Sequence, residues 1–316
     1  MKLELSTPSE RGTRFTLDLL NEPWKTEGIS AFLLGNKGAG KSHALAIVAE
    51  QSHKNRLPFI FYDKNGDACS LRELGDDVVV LGNTRHHQPE RKAHYSLEST
   101  MGNMGQYIKR AVKDGFSLVI DLSAIEDIDA RPLYLAQMLN MHHSIAGMFR
   151  HPTMVIIDEA HEFAPQYQAT SAQKDSLKAM KLMMSDGRKR GIYSISATQQ
   201  ITEINKRFIA LMNLRFFGKI THHAHFKYIE GYLPYKPGTI RKVSAIDMEK
   251  LNRTFLMCMS DGQRHYTRMK FRERKTTDLG GTPVAVPRTG PRPNIQQLDM
   301  FNSFNVASVK NGYETE

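Results

Sequence analysis

Cysteine is scarce in this sequence, and long apolar runs are missing. Only Cys69 and Cys258 occur among 316 residues, in unrelated contexts, so the chain can build neither a disulfide framework nor a zinc ribbon. No run of about 18 apolar residues is present, and the opening stretch MKLELSTPSERGTRF has no apolar core, so we expect neither a membrane-spanning helix nor a signal peptide. The predicted protein is cytoplasmic and has no membrane anchor.

The sequence contains fewer acidic than basic residues. Lysine and arginine together number 43, aspartate and glutamate 33, and the formal net charge is +10. Such an excess favours a polyanionic partner through counterion release, although a basic surface can also serve solubility alone. With 40% hydrophobic and 24% charged residues, the composition is that of an ordinary globular protein.

Short apolar runs alternate with longer helical patterns between about residues 29 and 230, which is typical of a parallel sheet covered by helices. The predicted strands are Ser30–Leu34, Pro58–Tyr62, Asp77–Leu81, Leu118–Leu122, Thr153–Asp158, Tyr193–Ala197, Leu214–Ile220, Phe255–Met259 and His265–Phe271. The predicted helices are Lys41–Ser52, Met104–Lys113, Pro132–Phe149, Lys174–Arg190 and Ile204–Met212. The predicted fold class is α/β, and the last two strands are predicted to form a closing β-hairpin around residues 260–262.

Three segments follow from this pattern. Residues 1–28 are a short N-terminal segment, and residues 29–276 form the predicted α/β domain. Residues 277–316 are predicted to be a Gly- and Pro-rich linker with a flexible tail, because they begin with a stretch that offers few apolar side chains to bury.

The motif GNKGAGKS opens the first long predicted helix. It satisfies G-x-x-x-x-G-K-[ST] and follows a predicted strand, the context in which a glycine-rich turn cradles a phosphate with backbone N–H groups. Lys41 is expected to bridge the β- and γ-phosphates of ATP, and the Ser42 hydroxyl is expected to ligate Mg²⁺. The predicted nucleotide-binding residues are Gly35, Asn36, Lys37, Gly38, Ala39, Gly40, Lys41, Ser42 and His43.

Two adjacent carboxylates end the apolar strand that begins at Thr153. This arrangement places one acid, Asp158, at the Mg²⁺ shell and the next, Glu159, beside the attacking water. An adjacent acid that can serve as a base favours a hydrolase over a P-loop kinase. Without the phosphate-binding motif, the same dipeptide could simply be an exposed strand end.

Two further groups flank the next predicted strand. Thr198 and Gln199 follow its carboxyl end, where ligands of open α/β sheets bind, so Gln199 is expected either to sense the γ-phosphate or to cap a helix. The basic cluster SDGRKRG precedes the strand. Cations are favourable at any helix C-terminus, but in a ring ATPase the same place can supply an arginine to a neighbour's γ-phosphate.

Taken in order, GNKGAGKS, IIDEAHEFAP, SDGRKRG, SATQQ and the strand at residues 213–216 resemble the HerA branch of the HerA/FtsK family of ring-shaped DNA-pumping ATPases. The segments FYDKNGD and RERKTTDLGGTP are also similar to segments of that family. The resemblance implies a RecA-like core with a central, mostly parallel sheet flanked by helices. It also implies hexamers, Mg²⁺-dependent ATP hydrolysis and duplex DNA that moves through a central pore.

The resemblance also assigns roles to individual residues. It implies Lys41 and Ser42 for phosphate and metal, Asp158 and Glu159 for metal and water, and Gln199 as a sensor. Arg188 is the leading candidate for an arginine supplied in trans, with Arg190 and Arg215 in reserve.

The sequence departs from the family at its N-terminus. Fewer than 30 residues precede the first predicted strand, so we expect no N-terminal β-barrel of the kind that full-length HerA proteins use to hold the ring and dock a nuclease. In this respect the chain is similar to the minimal genome-packaging ATPases of some viruses, which suggests a phage or other mobile-element origin.

The motifs DEAH and SAT also match two-domain helicases. Those enzymes close a second domain, with a Q-R-x-G-R-x-G-R motif, onto the first. Too few residues follow Thr198 for that domain, and the motif is missing, so we set this interpretation aside.

Two segments outside these motifs are candidate contact sites. The loop at residues 83–95 contains Arg85, His86, His87, Arg91, Lys92 and His94, and it is either a pore loop that contacts DNA or a solvated excursion. The tail motif QLDMF resembles the peptide with which bacterial replication proteins bind the sliding clamp, or else folds back on its own domain. Its residues are Gln297, Leu298, Asp299, Met300 and Phe301.

The sequence therefore predicts an ATP-driven DNA translocase that forms a homo-oligomeric ring. Two alternatives stay open: a viral genome-packaging ATPase of the same superfamily, and a nucleotide-switched protein that recruits a sliding clamp or a nuclease. The histidine groups at residues 142–143 and 222–225 lack accompanying ligands at metal-binding spacing, so we interpret them as surface or core residues.

Overall fold

A broad sheet organises the part of the chain that the computed structural model describes, namely residues 1–7, 15–239, 241–259 and 265–280. The strands are β1 (Lys2–Glu4), β2 (Thr16–Asp18), β3 (Ser30–Leu34), β4 (Phe59–Asp63), β5 (Val78–Gly82), β6 (Tyr95–Ser96), β7 (Ser117–Asp121), β8 (Thr153–Ile157), β9 (Ile192–Thr198), β10 (Leu214–Phe217), β11 (Phe255–Met259) and β12 (Thr267–Met269). The helices are α1 (Trp24–Glu27), α2 (Lys41–Lys54), α3 (Leu97–Thr100), α4 (Met104–Asp114), α5 (Arg131–Phe149), α6 (Ser171–Asp186), α7 (Lys206–Ala210), α8 (His223–Ile229) and α9 (Ala245–Glu249).

Within those residues the main sheet has ten strands in the order β12-β11-β10-β3-β9-β8-β4-β7-β5-β6. The pairs from β10 to β6 are parallel, and β11 and β12 join antiparallel at one side. This arrangement confirms the predicted α/β class and the mostly parallel sheet. The two strands of the predicted C-terminal hairpin do pair, while residues 260–264 between them lie outside the described part.

The central strands are nearly continuous apolar runs, and because successive side chains point to opposite faces of the sheet, both faces are buried. In β3, Phe32 and Leu34 contribute to one apolar layer, whereas Ala31 and Leu33 contribute to the other. Helices α4, α5 and α6 cover the first layer through Ile108, Leu139 and Met180, among others. Helix α2 and the small β1–β2 pair cover the second, with Leu45, Ile47, Leu3 and Leu17. Because successive strands are parallel, their carboxyl ends all meet at one edge of the sheet.

Several boundaries differ from the sequence prediction for local reasons. Helix α6 begins at Ser171 because the Thr170 hydroxyl accepts a hydrogen bond from the Gln173 N–H, and a 3₁₀ turn, Gly187–Arg190, replaces its predicted end. Strand β10 stops at Phe217, and the next residue is Gly218, where a Cβ atom would stand 3.0 Å from Cε1 of Phe255 and 3.2 Å from Cβ of Ala39. The predicted helix Ile204–Met212 shortens to α7.

The last described residues, 270–280, form a strip that lies across α2. The Arg272 N–H donates to the Leu5 carbonyl at 3.0 Å, so the strip continues alongside the N-terminal strand. Further along, Oε1 of the buried Glu50 accepts hydrogen bonds from the Lys275 N–H at 2.7 Å and from the Thr276 N–H at 2.9 Å. The strip therefore belongs to the same compact unit as the sheet, residues 1–280.

No helix in the described ranges is both long and apolar enough to cross a membrane.

Candidate nucleotide-binding site

The phosphate-binding loop connects β3 to α2 at the carboxyl edge of the sheet. Gly38 and Gly40 have φ angles of +79° and +92°, a backbone region in which other residues are strained. The Asn36 N–H donates to the Lys219 carbonyl at 2.8 Å, and the Gly218 N–H donates to the Leu34 carbonyl at 2.7 Å. These bonds to the segment after β10 fix the base of the loop and leave its N–H groups at the start of α2 oriented for an anion.

The side chain of Lys41 is 6% exposed and lies within this loop. Its Nζ donates to the Asn36 carbonyl at 3.1 Å. Burial lowers the pKa of Lys41, and the nearby carboxylates of Glu159 and Asp158 oppose that shift. The ammonium group of Lys41 therefore donates to a backbone carbonyl that a phosphate oxygen could replace. It also lies close to Asp158 and Glu159, the two acids predicted to act with it.

Ser42 and Asp158 meet as the sequence predicts. The Ser42 hydroxyl donates to Oδ2 of Asp158 at 3.0 Å, and Oδ1 of Asp158 accepts the Glu159 N–H at 2.9 Å. Burial, followed by the charge of Glu159, raises the pKa of Asp158 to about 6. An oxygen-to-oxygen separation near 3.0 Å equals the edge of an octahedron with Mg²⁺–oxygen bonds of about 2.1 Å. The two oxygens therefore fit adjacent ligand positions of Mg²⁺.

Glu159 occupies a left-handed backbone position, with φ 48° and ψ 48°. Such a conformation costs about 1 kcal/mol or more for a non-glycine residue and persists where the surroundings hold it. Its Oε2 lies 3.3 Å from the Gln199 N–H and 3.3 Å from Nδ1 of His161. Burial raises the pKa of Glu159, but the hydrogen bond and charge of His161, with Lys41 and the Gln199 N–H, outweigh it and hold that pKa below its usual value.

Gln199 therefore reaches the site through its backbone N–H. The residue before it, Thr198, uses its hydroxyl oxygen to accept the Gln200 N–H at 3.1 Å, and this oxygen also lies 3.0 Å from Nδ1 of His161. The ends of β8 and β9 are thus joined by side-chain contacts around Glu159.

His43, the last of the predicted nucleotide-binding residues, makes a side-chain contact outside the loop. Its Nε2 lies 2.9 Å from the Arg272 carbonyl on the C-terminal strip, so its side chain is engaged by that strip. Only its backbone is available to a phosphate. Lys37 and Gly38 are exposed at the tip of the loop.

The candidate arginines lie at the other edge of the sheet. Arg188 and Arg190 precede the first residue of β9, and Thr198 ends that strand, so the strand rise of about 3.3 Å per residue separates the two edges by about 20 Å. Arg188 is exposed, and in the described residues its guanidinium has no hydrogen-bond or ion-pair partner. Arg190 is engaged: its Nε donates to Oδ2 of Asp186 at 3.1 Å.

The reserve candidate Arg215 is held in another way. It lies on β10 with its guanidinium carbon 5.4 Å from the centre of the Tyr232 ring, and burial lowers its pKa. Its Nε is buried and has no hydrogen-bond partner among the described residues.

Two side chains of the basic loop at residues 83–95 form hydrogen bonds with other parts of the same chain. Arg91 donates to Oδ1 of Asp67 at 2.7 Å and to the Leu279 carbonyl, and Nδ1 of His94 accepts the Val80 N–H at 2.9 Å. Arg85, His87 and Lys92 remain exposed.

Sequence reasoning missed further acids at the same edge. Asp63 and Asp121 end the adjacent strands β4 and β7, are 1% and 3% exposed, and are paired in register. Burial raises the pKa of Asp63 to about 7 and also raises the pKa of Asp121. Each of these two aspartates stands at the end of a buried apolar stretch of sequence, as Asp158 does. That position in the sequence could have identified both of them as candidate site residues. Across the described residues, no group of three or more His, Cys, Asp or Glu side chains forms a metal cluster.

No family model and no curated protein matches the sequence. Several solved structures, however, are similar to this one. The crystal structure of B204, the DNA-packaging ATPase from Sulfolobus turreted icosahedral virus, is similar with a TM-score of 0.50 and 16% identity, over 76% of this chain and 96% of that one. The bacterial conjugative coupling protein TrwB, without its first 70 residues, is similar with a TM-score of 0.55 and 12% identity, over 81% of this chain and 87% of that one.

The chain has a RecA-like P-loop NTPase fold. The predicted likeness to HerA/FtsK-type ATPases is confirmed at the level of this fold. The clamp-like motif at residues 297–301 lies outside the described residues, so its role stays a prediction.

Proposed function

We propose that this chain is an Mg²⁺-dependent ATPase whose subunits assemble in a ring and move DNA. The observation that carries the proposal is the contact between the Ser42 hydroxyl and Asp158 at 3.0 Å, with Lys41 and Glu159 beside it on the phosphate-binding loop and β8. This is the set of groups that phosphoryl transfer to water requires: a cation for the γ-phosphate, two metal ligands and a carboxylate for the water.

Each group has a defined task in hydrolysis. The backbone N–H groups of the loop bind the β-phosphate, and Lys41 exchanges the Asn36 carbonyl for a γ-phosphate oxygen. Ser42 and Asp158 would hold Mg²⁺, which would supply positive charge to the phosphates. Glu159 orients the water and accepts its proton, and its low pKa keeps the carboxylate ionised at neutral pH. Gln199 adjoins Glu159 and is suited to sense the γ-phosphate.

Arg188 is the residue we assign to a neighbour's site. It lies about 20 Å from the carboxyl edge of its own sheet, and it has no partner among the described residues. A second subunit that places its phosphate-binding loop against Arg188 would gain the cation that neutralises charge in the transition state. Arg190 is the weaker candidate because its guanidinium is bonded to Asp186.

DNA contact is supported by the exposed face of α6 as well as by the net charge of +10. Lys174, Lys178 and Lys181 are spaced by four and three residues and so share one face of the helix. Within the described ranges none of them forms an ion pair, and Arg207 lies close enough to lower the pKa of Lys181, after burial. One carboxylate, Asp175, interrupts this face. The three lysines and the nearby Arg207, which also has no ion pair in the described part of the chain, fit a phosphate backbone.

A genome-packaging role is the second candidate. The structure of the DNA-packaging ATPase B204 matches this chain over 96% of its own length, and this extent of the match supports the packaging role. The third possibility, recruitment of a sliding clamp or a nuclease, depends on the tail and stays a prediction.

Steady-state ATP turnover tests the proposal. We expect Mg²⁺-dependent turnover that rises with the length of added duplex DNA, because a translocating motor remains engaged longer on a longer track. Glu159→Gln should bind a fluorescent ATP analogue as the wild type does and lose turnover by about 10²-fold or more. Slow turnover that is indifferent to DNA would contradict translocation and favour the recruitment role.

A further inference from the structure

His161 connects two residues that no motif joins. Its Nδ1 lies 3.3 Å from Oε2 of Glu159 and 3.0 Å from the hydroxyl oxygen of Thr198. All three side chains are buried, with exposures of 5% for Glu159, 8% for His161 and 0% for Thr198. Buried polar groups in one cluster depend on one another, because each would lose its partner if another moved.

The donors in this cluster can be assigned. An ionised carboxylate only accepts hydrogen bonds, so Nδ1 of His161 carries the proton that it shares with Glu159. Thr198 already accepts the Gln200 N–H at 3.1 Å, and its oxygen takes the second share of the Nδ1–H. The Gln199 N–H supplies the other donor to Oε2 of Glu159 at 3.3 Å. The carboxylate is thus held from β9 on one side and from the 3₁₀ turn Ala160–Glu162 on the other.

We propose that His161 is a positioning residue for hydrolysis, which fixes the Glu159 carboxylate toward the attacking water and ties it to the end of β9. This inference rests on the proposed ATPase function. The left-handed backbone of Glu159 makes such positioning necessary, because it gives the side chain an unusual direction. The two hydrogen-bond donors, Nδ1 of His161 and the Gln199 N–H, then fix the position of the carboxylate. Strand β9 begins directly after the basic segment SDGRKRG, which contains Arg188. A shift of this strand caused by a neighbouring subunit would therefore change the position of Glu159 through Thr198 and His161.

The decisive comparison is between His161→Leu and His161→Asn. A cavity of about 440 Å³ adjoins His161, so both side chains can be accommodated. Leucine removes the donor, whereas the asparagine amide places an N–H at the distance from the backbone at which Nδ1 lies. We expect His161→Leu to lower kcat for ATP about 10-fold to 100-fold with little change in KM, and His161→Asn to recover most of the loss.

His53→Leu is the matched control. It also removes a histidine that lies beside a carboxylate, with Nε2 at 2.9 Å from Asp77, but at the far end of α2 from the phosphate-binding loop. Its kcat should match that of the wild type. Melting temperature and binding of a fluorescent ATP analogue, measured for every variant, identify any loss of kcat that arises from unfolding.

A double-mutant cycle with Thr198→Val completes the test. If His161 acts through its contact with Thr198, the double variant with His161→Leu should lose little more than the larger single loss. Equal kcat for wild type and His161→Leu, an equal loss in His161→Asn and His161→Leu, or fully additive losses in the cycle would each overturn the inference. These outcomes require a wild type that hydrolyses ATP. A wild type that binds ATP without turnover would instead contradict the proposed function itself.

Discussion

Arg188 lies against Gly28 at the amino-terminal edge of the sheet. A Cβ atom built on Gly28, whose φ is +67°, would stand only 3.0 Å from Cγ of Arg188. The arginine side chain can therefore occupy this position only because residue 28 has no side chain. The aliphatic part of Arg188 packs on the backbone before β3, and its charged end stays exposed. This relationship leaves the guanidinium of Arg188 exposed at the surface and away from the phosphate-binding loop of the same chain.

Arg188→Ala and Arg190→Ala should therefore fail in different ways. We expect Arg188→Ala to keep its stability and lose turnover by about 10³-fold, the scale of an arginine supplied to a transition state. Arg190→Ala should lose stability instead, by about 1 kcal/mol, because it breaks a partly exposed pair with Asp186. Urea denaturation and ATP turnover on both variants measure the two effects, and reversed assignments would make Arg190 the catalytic candidate.

Arg91 should act as a structural residue. Since it bonds to Asp67 and to the Leu279 carbonyl, Arg91→Ala should lower the free energy of unfolding by about 1 kcal/mol, measured by urea denaturation. The neighbouring exposed Lys92→Ala is its control for stability and should be neutral. If the loop contacts DNA, Lys92→Ala alone should flatten the salt dependence of binding, so an unchanged slope would remove the loop from the DNA-binding surface.

Glu50 should hold the C-terminal strip on α2. Glu50→Ala would leave the N–H groups of Lys275 and Thr276 and the Thr276 hydroxyl without their acceptor, at a cost of about 2 kcal/mol or more. Hydrogen exchange of the two amides should accelerate strongly. Glu73→Ala, which removes a single exposed acceptor of the Thr277 N–H, should leave them protected. Unchanged protection in Glu50→Ala would show that other contacts secure the strip.

Asp63 gives stability a defined pH dependence. Burial raises its pKa in the folded protein to about 7, from an ordinary value of 3.8. Between pH 4 and pH 7 the folded state therefore binds more protons than the unfolded state, so the contribution of Asp63 to stability falls as pH rises, by up to about 1.4 kcal/mol per pH unit. Denaturation at pH 5, 6 and 7 should show a smaller decline for Asp63→Asn than for the wild type. The exposed Asp76→Asn should decline as the wild type does, and a slope that Asp63→Asn leaves unchanged would contradict the effect.

The parts of this molecule that sequence reasoning predicted are those encoded within a few residues. The phosphate-binding loop and the acids after β8 appear as contiguous motifs, and five-residue apolar runs revealed most of the central strands. The contact between His161 and Thr198 joins residues 37 positions apart, and Arg91 meets Asp67 across 24, so neither pairing leaves a local pattern. Strands β1 and β2 were missed because three residues are too few to show alternation.

The central claim is that each nucleotide pocket is completed by Arg188 of an adjacent subunit. Mixing Glu159→Gln with Arg188→Ala subunits tests it most directly, because each variant alone should be inactive, while the Glu159→Gln subunits still offer Arg188 to intact pockets in their neighbours. The account predicts that ATP turnover reappears in mixtures, passes through a maximum with mixing ratio, and accompanies a mass above that of the monomer. Full turnover by a wild-type monomer, or no recovery at any mixing ratio, would contradict it.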